Sequence, residues 1–135
     1  MSFTPYLHFD GTCAEALNTY AKIFGSDKLQ LLTFAEGAGD SGMPASDRIL
    51  HGELQINGQV LMGSDSPEGM PVAPQASVSI SHLAASIEEG QRVFDALLEG
   101  GDVTMPYGPS FFAASFGMLR DRFGTHWLVV VHPEA

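Results

Sequence analysis

The chain has 135 residues, of which 44% are hydrophobic and 16% charged, a size and composition typical of one globular domain that buries its own core. Its formal net charge of −10 disfavours a nucleic-acid partner, because a negative surface without a basic stripe repels phosphates. No apolar run reaches the roughly 20 residues of a membrane span and no secretory leader is visible, so we expect no membrane partner and a cytoplasmic location.

The first half of the chain predicts a strand, a helix and three further strands. The first strand is Tyr6 to Phe9. A capping box, Thr12 to Glu15, begins the helix, and Gly25 ends it. The helix carries one apolar stripe at helical spacing, formed by Cys13, Leu17, Tyr20 and Phe24. The three later strands, the last two joined by the hairpin signal Asn57-Gly58, are Leu29 to Phe34, Ile49 to Ile56 and Gln59 to Gly63. A polar, Gly-rich loop, Glu36 to Asp47, separates the first two of them.

The second half predicts the same order of elements. A strand at Val78 to Ser81 precedes a capping box at Ser86 to Glu89, and Gly100-Gly101 ends the helix. His82 falls between that strand and the cap, where we expect a loop or capping role. Three strands follow, the last two joined through Phe123-Gly124: Val103 to Tyr107, Phe111 to Leu119 and His126 to Val131.

This repetition predicts the fold class. We expect a single α+β domain of two β-α-β-β-β repeats that form curved mixed sheets, at about residues 3–66 and 75–132. The segment Ser64 to Pro74 is rich in Pro, Gly and Ser and makes the joint between them. A doubly wound sheet is disfavoured, because it needs four or more helices and the pattern supplies two.

Side-chain alternation predicts which residues face away from the helices. In the first strand Tyr6 and His8 oppose Leu7 and Phe9. In the strand at Ile49 to Ile56, three polar side chains oppose three apolar ones: His51, Glu53 and Gln55 against Leu50, Leu54 and Ile56. Both faces of the last strand are largely apolar, so the side taken by Trp127 stays open. The candidates for lining a ligand cleft are Tyr6, His8, His51, Glu53, Gln55, Met62, Phe112 and Trp127.

Two kinds of chemistry fit these candidates. A histidine pair with a carboxylate, drawn from His8, His51 and Glu53, could hold a divalent ion such as Zn, Ni, Mn or Fe. The plainer interpretation, which we prefer, is that they are polar side chains of a cleft or surface. Cys13 opens the apolar stripe of its helix, so we expect a buried, inert thiol and no nucleophile. One cysteine also excludes an intramolecular disulfide.

Several segments resemble one known family. They are Tyr6 to Gly11, Cys13 to Leu17, Phe24-Gly25, His51 to Leu54, Met62 to Asp65, and Phe116-Gly117 with Asp121 to Trp127. Together they are similar to the PhnB-like branch of the glyoxalase, bleomycin-resistance and extradiol-dioxygenase (vicinal oxygen chelate) superfamily. The pair Phe111-Phe112 departs from it, since many relatives carry a Trp nearby. The resemblance implies paired modules, a homodimer and clefts between sheet faces.

The resemblance also bears on cofactors. Superfamily enzymes take metal ligands from the first and last strands of each module, and His8 matches the first place. The other places fall near Leu61 or Met62, near Val78 or Ser79, and near Leu128, which supply no strong ligand. We therefore expect no cofactor and no usual metal site. Such proteins are often described as demethylubiquinone methyltransferases, but the sequence has no Gly-rich nucleotide loop after a strand, so we expect no methyltransferase.

Three functions remain in view. The first is a metal-independent protein that binds a small, partly apolar molecule, in the manner of the drug-resistance members. The second is a metal-dependent lyase, isomerase or oxygenase that uses His8 and Glu53. The third is a purely structural dimer, with its cleft filled by side chains.

Overall fold

The computed structural model describes residues 2–37 and 45–133. The chain divides into two compact units, Met1–Ala73 and Pro74–Ala135, here called the N-terminal and C-terminal units. The N-terminal unit contains β1 (Tyr6–Phe9), α1 (Cys13–Phe24), β2 (Lys28–Thr33), α2 (Phe34–Gly37), β3 (Ile49–Ile56) and β4 (Gln59–Asp65). The C-terminal unit contains β5 (Ile80–Leu83), α3 (Ile87–Leu98), β6 (Asp102–Gly108), β7 (Ser115–Arg120) and β8 (His126–Val131).

The two sheets have equivalent strand orders. They are β1-β4-β3-β2 and β5-β8-β7-β6. In each, the first strand pairs in parallel with the last, and the other pairs are antiparallel. The predicted α+β class with two mixed sheets is confirmed. Within the described residues, no helix combines the length and the apolar character needed to cross a membrane.

Helix α1 covers one face of the N-terminal sheet. Its buried residues meet a sheet face formed by Leu7, Phe9, Leu54 and Leu61, each at most 8% exposed. Gly52 allows the close approach, because a Cβ there would lie 2.7 Å from the Leu17 Cδ1 atom of the helix. The alternation predicted for β1 is confirmed: Leu7 and Phe9 are buried, while Tyr6 and His8 are exposed.

The start of α1 differs from the prediction. The side chain of Thr12 makes no capping hydrogen bond within the described part of the chain. The carboxylate of Asp65, at the end of β4 and only 3% exposed, takes that role. Its Oδ1 accepts the N–H groups of Gly11 and Cys13, both at 2.9 Å, and its Oδ2 accepts that of Ile49 at 2.8 Å. One buried carboxylate thus fastens the beginnings of α1 and β3 to the end of β4.

In the C-terminal unit α3 covers the sheet in the same way. The predicted cap is confirmed at Ser86, whose Oγ accepts the N–H of Glu89 at 3.1 Å. Phe94 of α3 packs over Gly117 of β7, where a Cβ would lie 2.7 Å from its ring. Asp121, 3% exposed, organises the turn between β7 and β8 by accepting the N–H groups of Phe123 and Thr125, both at 2.9 Å.

Several predicted boundaries were wrong. Strand β5 lies at Ile80–Leu83, because its parallel register with β8 begins at Ile80 and Trp127; His82 is therefore inside the strand and not in a loop. Strand β7 begins only at Ser115, because Ser110 accepts and donates hydrogen bonds with Ala113 and closes a turn before it. Strand β2 ends before Phe34, and β4 runs on to Asp65, into the predicted joint. Residues 38–44 of the predicted loop lie outside the described part of the chain.

Candidate functional site

The uncovered face of the N-terminal sheet carries most of the predicted candidates. Tyr6 and His8 lie on β1, and His51, Glu53 and Gln55 lie on β3. Met62 of β4 stands between the two strands, because it is the register partner of both Tyr6 and Glu53. Helix α1 lies on the other side of this sheet, so these side chains are left uncovered by it. We call this surface the polar face.

Three of these side chains form a hydrogen-bonded chain. The Oη of Tyr6 lies 2.9 Å from Nδ1 of His51, and Nε2 of His51 lies 3.0 Å from Oε1 of Glu53. The Tyr6 and His51 rings are tilted, with centroids 5.6 Å apart. Each of the three is partly exposed: Tyr6 by 39%, and the side chains of His51 and Glu53 by 37% and 34%.

When Glu53 is ionised and His51 is neutral, the direction of these hydrogen bonds follows from the groups that make them. An ionised carboxylate only accepts, so Nε2 of His51 must donate to Glu53. In a neutral imidazole Nδ1 then has a free lone pair, and the Tyr6 hydroxyl donates to it. The chain therefore runs from the hydroxyl through the imidazole to the carboxylate.

His8 and Gln55 border this chain. The ring centroid of His8 lies 5.3 Å from that of Tyr6, with the planes tilted by 37°. Gln55 is exposed two residues beyond Glu53 on the same strand. The structure therefore brings together Tyr6, His8, His51 and Glu53, with Met62 between them and Gln55 at the edge.

The residues do not fit the superfamily metal site. No group of three or more His, Cys, Asp or Glu side chains that could hold a metal ion is found within residues 2–37 and 45–133. Both ring nitrogens of His51 are already bonded to Tyr6 and Glu53. In β5 the place expected near Val78 or Ser79 moves to Ile80 or Ser81, because the strand begins two residues later. These residues still provide no strong ligand.

Two of the eight candidates lie in the C-terminal unit, and they differ in exposure. Trp127 is 2% exposed on the side covered by α3, and its Nε1–H donates to Oδ2 of Asp121 at 2.9 Å. It is a core residue and does not line the uncovered face. Phe112 is 48% exposed in the turn before β7, and its ring meets that of Phe116 edge-on at 4.9 Å.

The uncovered face of the C-terminal sheet was missed in the sequence. Because Trp127 faces α3, the residues next to it in β8 and their register partners in β7 lie on the opposite side of the sheet. Here this face presents half-buried apolar side chains: Phe116, Met118, Leu128 and Val130. We call this surface the apolar face. The alternation of Ser115 and Gly117 with bulky residues was a signal for it.

The environment of the single thiol disfavours its ionisation. Cys13 is 0% exposed at the first position of α1. Burial, and secondarily the charge of Asp65, raise the pKa of its thiol to about 12. The predicted burial of Cys13 is confirmed, and a thiol that stays protonated is a poor nucleophile.

Two four-stranded sheets of equivalent strand order, each with a helix on one face, define the glyoxalase/bleomycin-resistance fold. A glyoxalase/bleomycin resistance protein from Albidiferax ferrireducens T118 shares it with a TM-score of 0.60 at 14% identity, over 96% of this chain and 98% of that one.

The family follows from closer matches. The family model for 3-demethylubiquinone-9 3-methyltransferase matches residues 1–130, and the chain belongs to this family. Protein YjdN of Escherichia coli strain K12 is 33% identical over 142 residues, covering 97% of this chain and 95% of that one. Protein PA1353 from Pseudomonas aeruginosa is 42% identical, with a TM-score of 0.87 over 99% of both chains. A putative 3-demethylubiquinone-9 3-methyltransferase, PhnB protein, from Bacillus cereus is 26% identical with a TM-score of 0.77, over 97% of this chain and 99% of that one. The resemblance to the PhnB-like branch is confirmed.

Proposed function

We propose that this protein binds a small, partly apolar molecule and that the polar face supplies the hydrogen bonds that orient it. The observation that carries the proposal is the bonded chain of Tyr6, His51 and Glu53 on a sheet face that its own helix leaves uncovered. These side chains hold one another in place, so a ligand would meet groups that are already oriented, and binding would cost less entropy. A function without the four-ligand metal site is favoured by the poor fit of the side chains to that site.

Each unit has apolar surface of its own. Phe116, Met118, Leu128 and Val130 are half-buried on the uncovered side of the C-terminal sheet. Ligand sites are lined mainly by apolar side chains, with a few polar groups that fix orientation. On the polar face itself, Met62 and the rings of Tyr6 and His8 supply apolar surface beside the polar groups, so a partly apolar molecule suits this face. We further propose that the protein is cytoplasmic and forms a homodimer. Native mass spectrometry would detect the homodimer as a species of twice the chain mass.

Methyl transfer, which the family description names, is not part of the proposal. A nucleotide-derived methyl donor is commonly held by a Gly-rich turn between a strand and a helix. The turns that lead into α1 and α3, residues 10–12 and 84–86, contain Gly11 as their single glycine. S-adenosylmethionine nevertheless belongs in the binding screen, since a clear response to it would contradict this point.

Thermal-shift screening against metabolites and antibiotics tests the proposal. A compound at about 100 times its Kd stabilises the folded state by about 2.7 kcal/mol, which raises Tm measurably. We expect Tyr6→Phe and Glu53→Gln to reduce the shift of a true ligand. Asn18→Ala, on α1 at the other side of the sheet, is the matched control and should leave it unchanged. A panel without hits, or hits that ignore both polar-face variants, would contradict the proposal.

Metal analysis decides the enzyme alternative. Protein purified without chelator should contain no stoichiometric Zn, Ni, Mn or Fe, and added ions should not change Tm. Metal uptake that disappears in His8→Ala would favour the metal-dependent function at His8 and Glu53 instead.

A further inference from the structure

The three tyrosines of the chain have different surroundings. Tyr20 is fully buried, and the hydroxyl of Tyr107 donates to the backbone oxygen of Ile87 at 2.8 Å. Tyr6 is paired with a histidine that is itself paired with a carboxylate. The difference matters because a backbone carbonyl cannot accept a proton at neutral pH, whereas an imidazole can.

The order of groups matches that of an activated nucleophile. In such an arrangement a hydroxyl meets a base, and a third group orients the base. Here the hydroxyl belongs to Tyr6, the base is Nδ1 of His51, and Glu53 holds the other ring nitrogen. Donating to His51 also makes the Tyr6 oxygen a better acceptor, because successive hydrogen bonds polarise one another.

Both access and charge favour proton transfer through this chain. Tyr6 is 39% exposed, so a small molecule on the polar face can reach its oxygen. If His51 gains a proton, the cation forms 3.0 Å from the Glu53 carboxylate and is stabilised by it.

We propose that Tyr6, His51 and Glu53 form a proton-accepting relay that acts on an acidic O–H or C–H group of the bound molecule. The group on the ligand gives its proton to Oη of Tyr6, while the hydroxyl proton of Tyr6 passes to Nδ1 of His51. The products are the ligand anion, a neutral Tyr6 and an imidazolium between Tyr6 and Glu53, and no electrons change hands in redox terms. The suitable ligands are phenols, enols and compounds with a C–H beside a carbonyl. This assignment deepens the proposed function and depends on it for the ligand.

The reactivity of Tyr6 can be tested before any ligand is known. An arylsulfonyl fluoride is attacked by an activated phenol: the Tyr6 oxygen–sulfur bond forms, the sulfur–fluorine bond breaks, fluoride leaves, and the hydroxyl proton goes to His51. Peptide mass spectrometry of the full-length protein gives the rate at each tyrosine. We expect Tyr6 to react at least about tenfold faster than Tyr107, since a positioned base contributes about 10²–10⁴-fold in a complete active site. His51→Gln should remove that advantage, whereas Asn18→Ala should keep it.

Glu53 is a positioning residue in this scheme and needs its own readout. Nitrogen-15 NMR of the unmodified protein should show His51 protonated at Nε2, with Nδ1 accepting a hydrogen bond. In Glu53→Gln this tautomer should become less populated and the labelling of Tyr6 several-fold slower, while circular dichroism stays unchanged. An unaltered tautomer with an unaltered labelling rate would overturn the role of Glu53.

The relay and the binding function fail in different ways. Tyr6 labelling no faster than that of Tyr107, or unaffected by His51→Gln, overturns the relay even if the thermal-shift panel yields ligands. A panel without hits overturns the binding function, while fast labelling of Tyr6 would still support the relay.

Discussion

Replacing Asp65 by alanine tests how this fold holds its first helix and third strand together. The carboxylate is 3% exposed and accepts the backbone N–H groups of Gly11, Cys13 and Ile49. Hydrogen bonds to a charged group contribute about 1.5–3 kcal/mol each, so three at the lower value amount to about 4–5 kcal/mol. Gly11 is exposed, and water can bind its N–H in the variant. We therefore expect Asp65→Ala to lose about 3–4 kcal/mol of unfolding free energy.

Asp65→Asn separates geometry from charge. The amide oxygen can keep the bonds to Gly11 and Cys13, but the amide NH2 group would face the N–H of Ile49, which is a donor against a donor. We expect a loss of about 1–3 kcal/mol, smaller than that of the alanine variant.

Urea unfolding gives these values. Far-UV circular dichroism follows both units, while fluorescence of the single tryptophan, Trp127, follows the C-terminal unit. Asp102→Asn is the control, because that side chain is 79% exposed and 3.7 Å from Arg120; it should change stability by less than about 0.5 kcal/mol. Thr12→Ala should also cost less than the roughly 1 kcal/mol of a true cap. A larger loss for Thr12→Ala than for Asp65→Ala would refute the reasoning.

Three further predictions concern Cys13, His82 and Gly90. Burial raises the pKa of Cys13 to about 12, whereas a thiol in the unfolded chain ionises at about 8.5. The free energy of unfolding should therefore fall as pH rises above about 8.5, by up to about 1.4 kcal/mol per pH unit. Cys13→Ala should remove this pH dependence. Ellman's reagent should react with the thiol of Cys13 only as the protein unfolds, and rapid reaction of the native protein at pH 8 would contradict the prediction. Burial lowers the pKa of His82, so the unfolded chain takes up the proton first and stability should fall as pH drops below about 6.5. Urea unfolding from pH 5 to 8 should show that the free energy of unfolding falls less at low pH in His82→Gln than in the wild type. Equal pH dependence in the two proteins would be evidence against this effect of burial. In Gly90→Ala the new methyl overlaps the Tyr107 hydroxyl and breaks its bond to Ile87, so Tm should fall with a loss of about 1–3 kcal/mol. The loss should shrink in a Tyr107→Phe background, and an unchanged Tm would show that the ring moves freely.

Local patterns in the sequence were sufficient to predict the repeat and the polar face. Strict alternation in β1 and β3 decided the sides of Tyr6 and His51, because one face of each strand carries the large apolar residues. The Asn57-Gly58 hairpin was equally local: both residues have positive φ, 49° and 78°, as a tight hairpin requires.

Contacts between residues distant in sequence could not be predicted. The carboxylate that holds the start of α1 comes from Asp65, 52 residues beyond Cys13, whereas the capping box suggested the adjacent Thr12. In β8 both faces are largely apolar, so the side of Trp127 depended on where α3 packs. The bonded chain likewise needed the register of β1 against β4 and of β4 against β3, which brings Tyr6 beside His51 although 45 residues separate them.

The hydrogen bonds of the two buried aspartates have a consequence for how the stability of the protein responds to salt. Three backbone N–H groups bind Asp65, and two backbone N–H groups with the Trp127 indole bind Asp121. Dissolved ions do not reach such short, buried contacts. They do weaken the mutual repulsion of surface charges on a protein with a net charge of −10. Added salt should therefore reduce the repulsion between surface charges without weakening the hydrogen bonds of Asp65 and Asp121. The free energy of unfolding should accordingly rise with salt concentration.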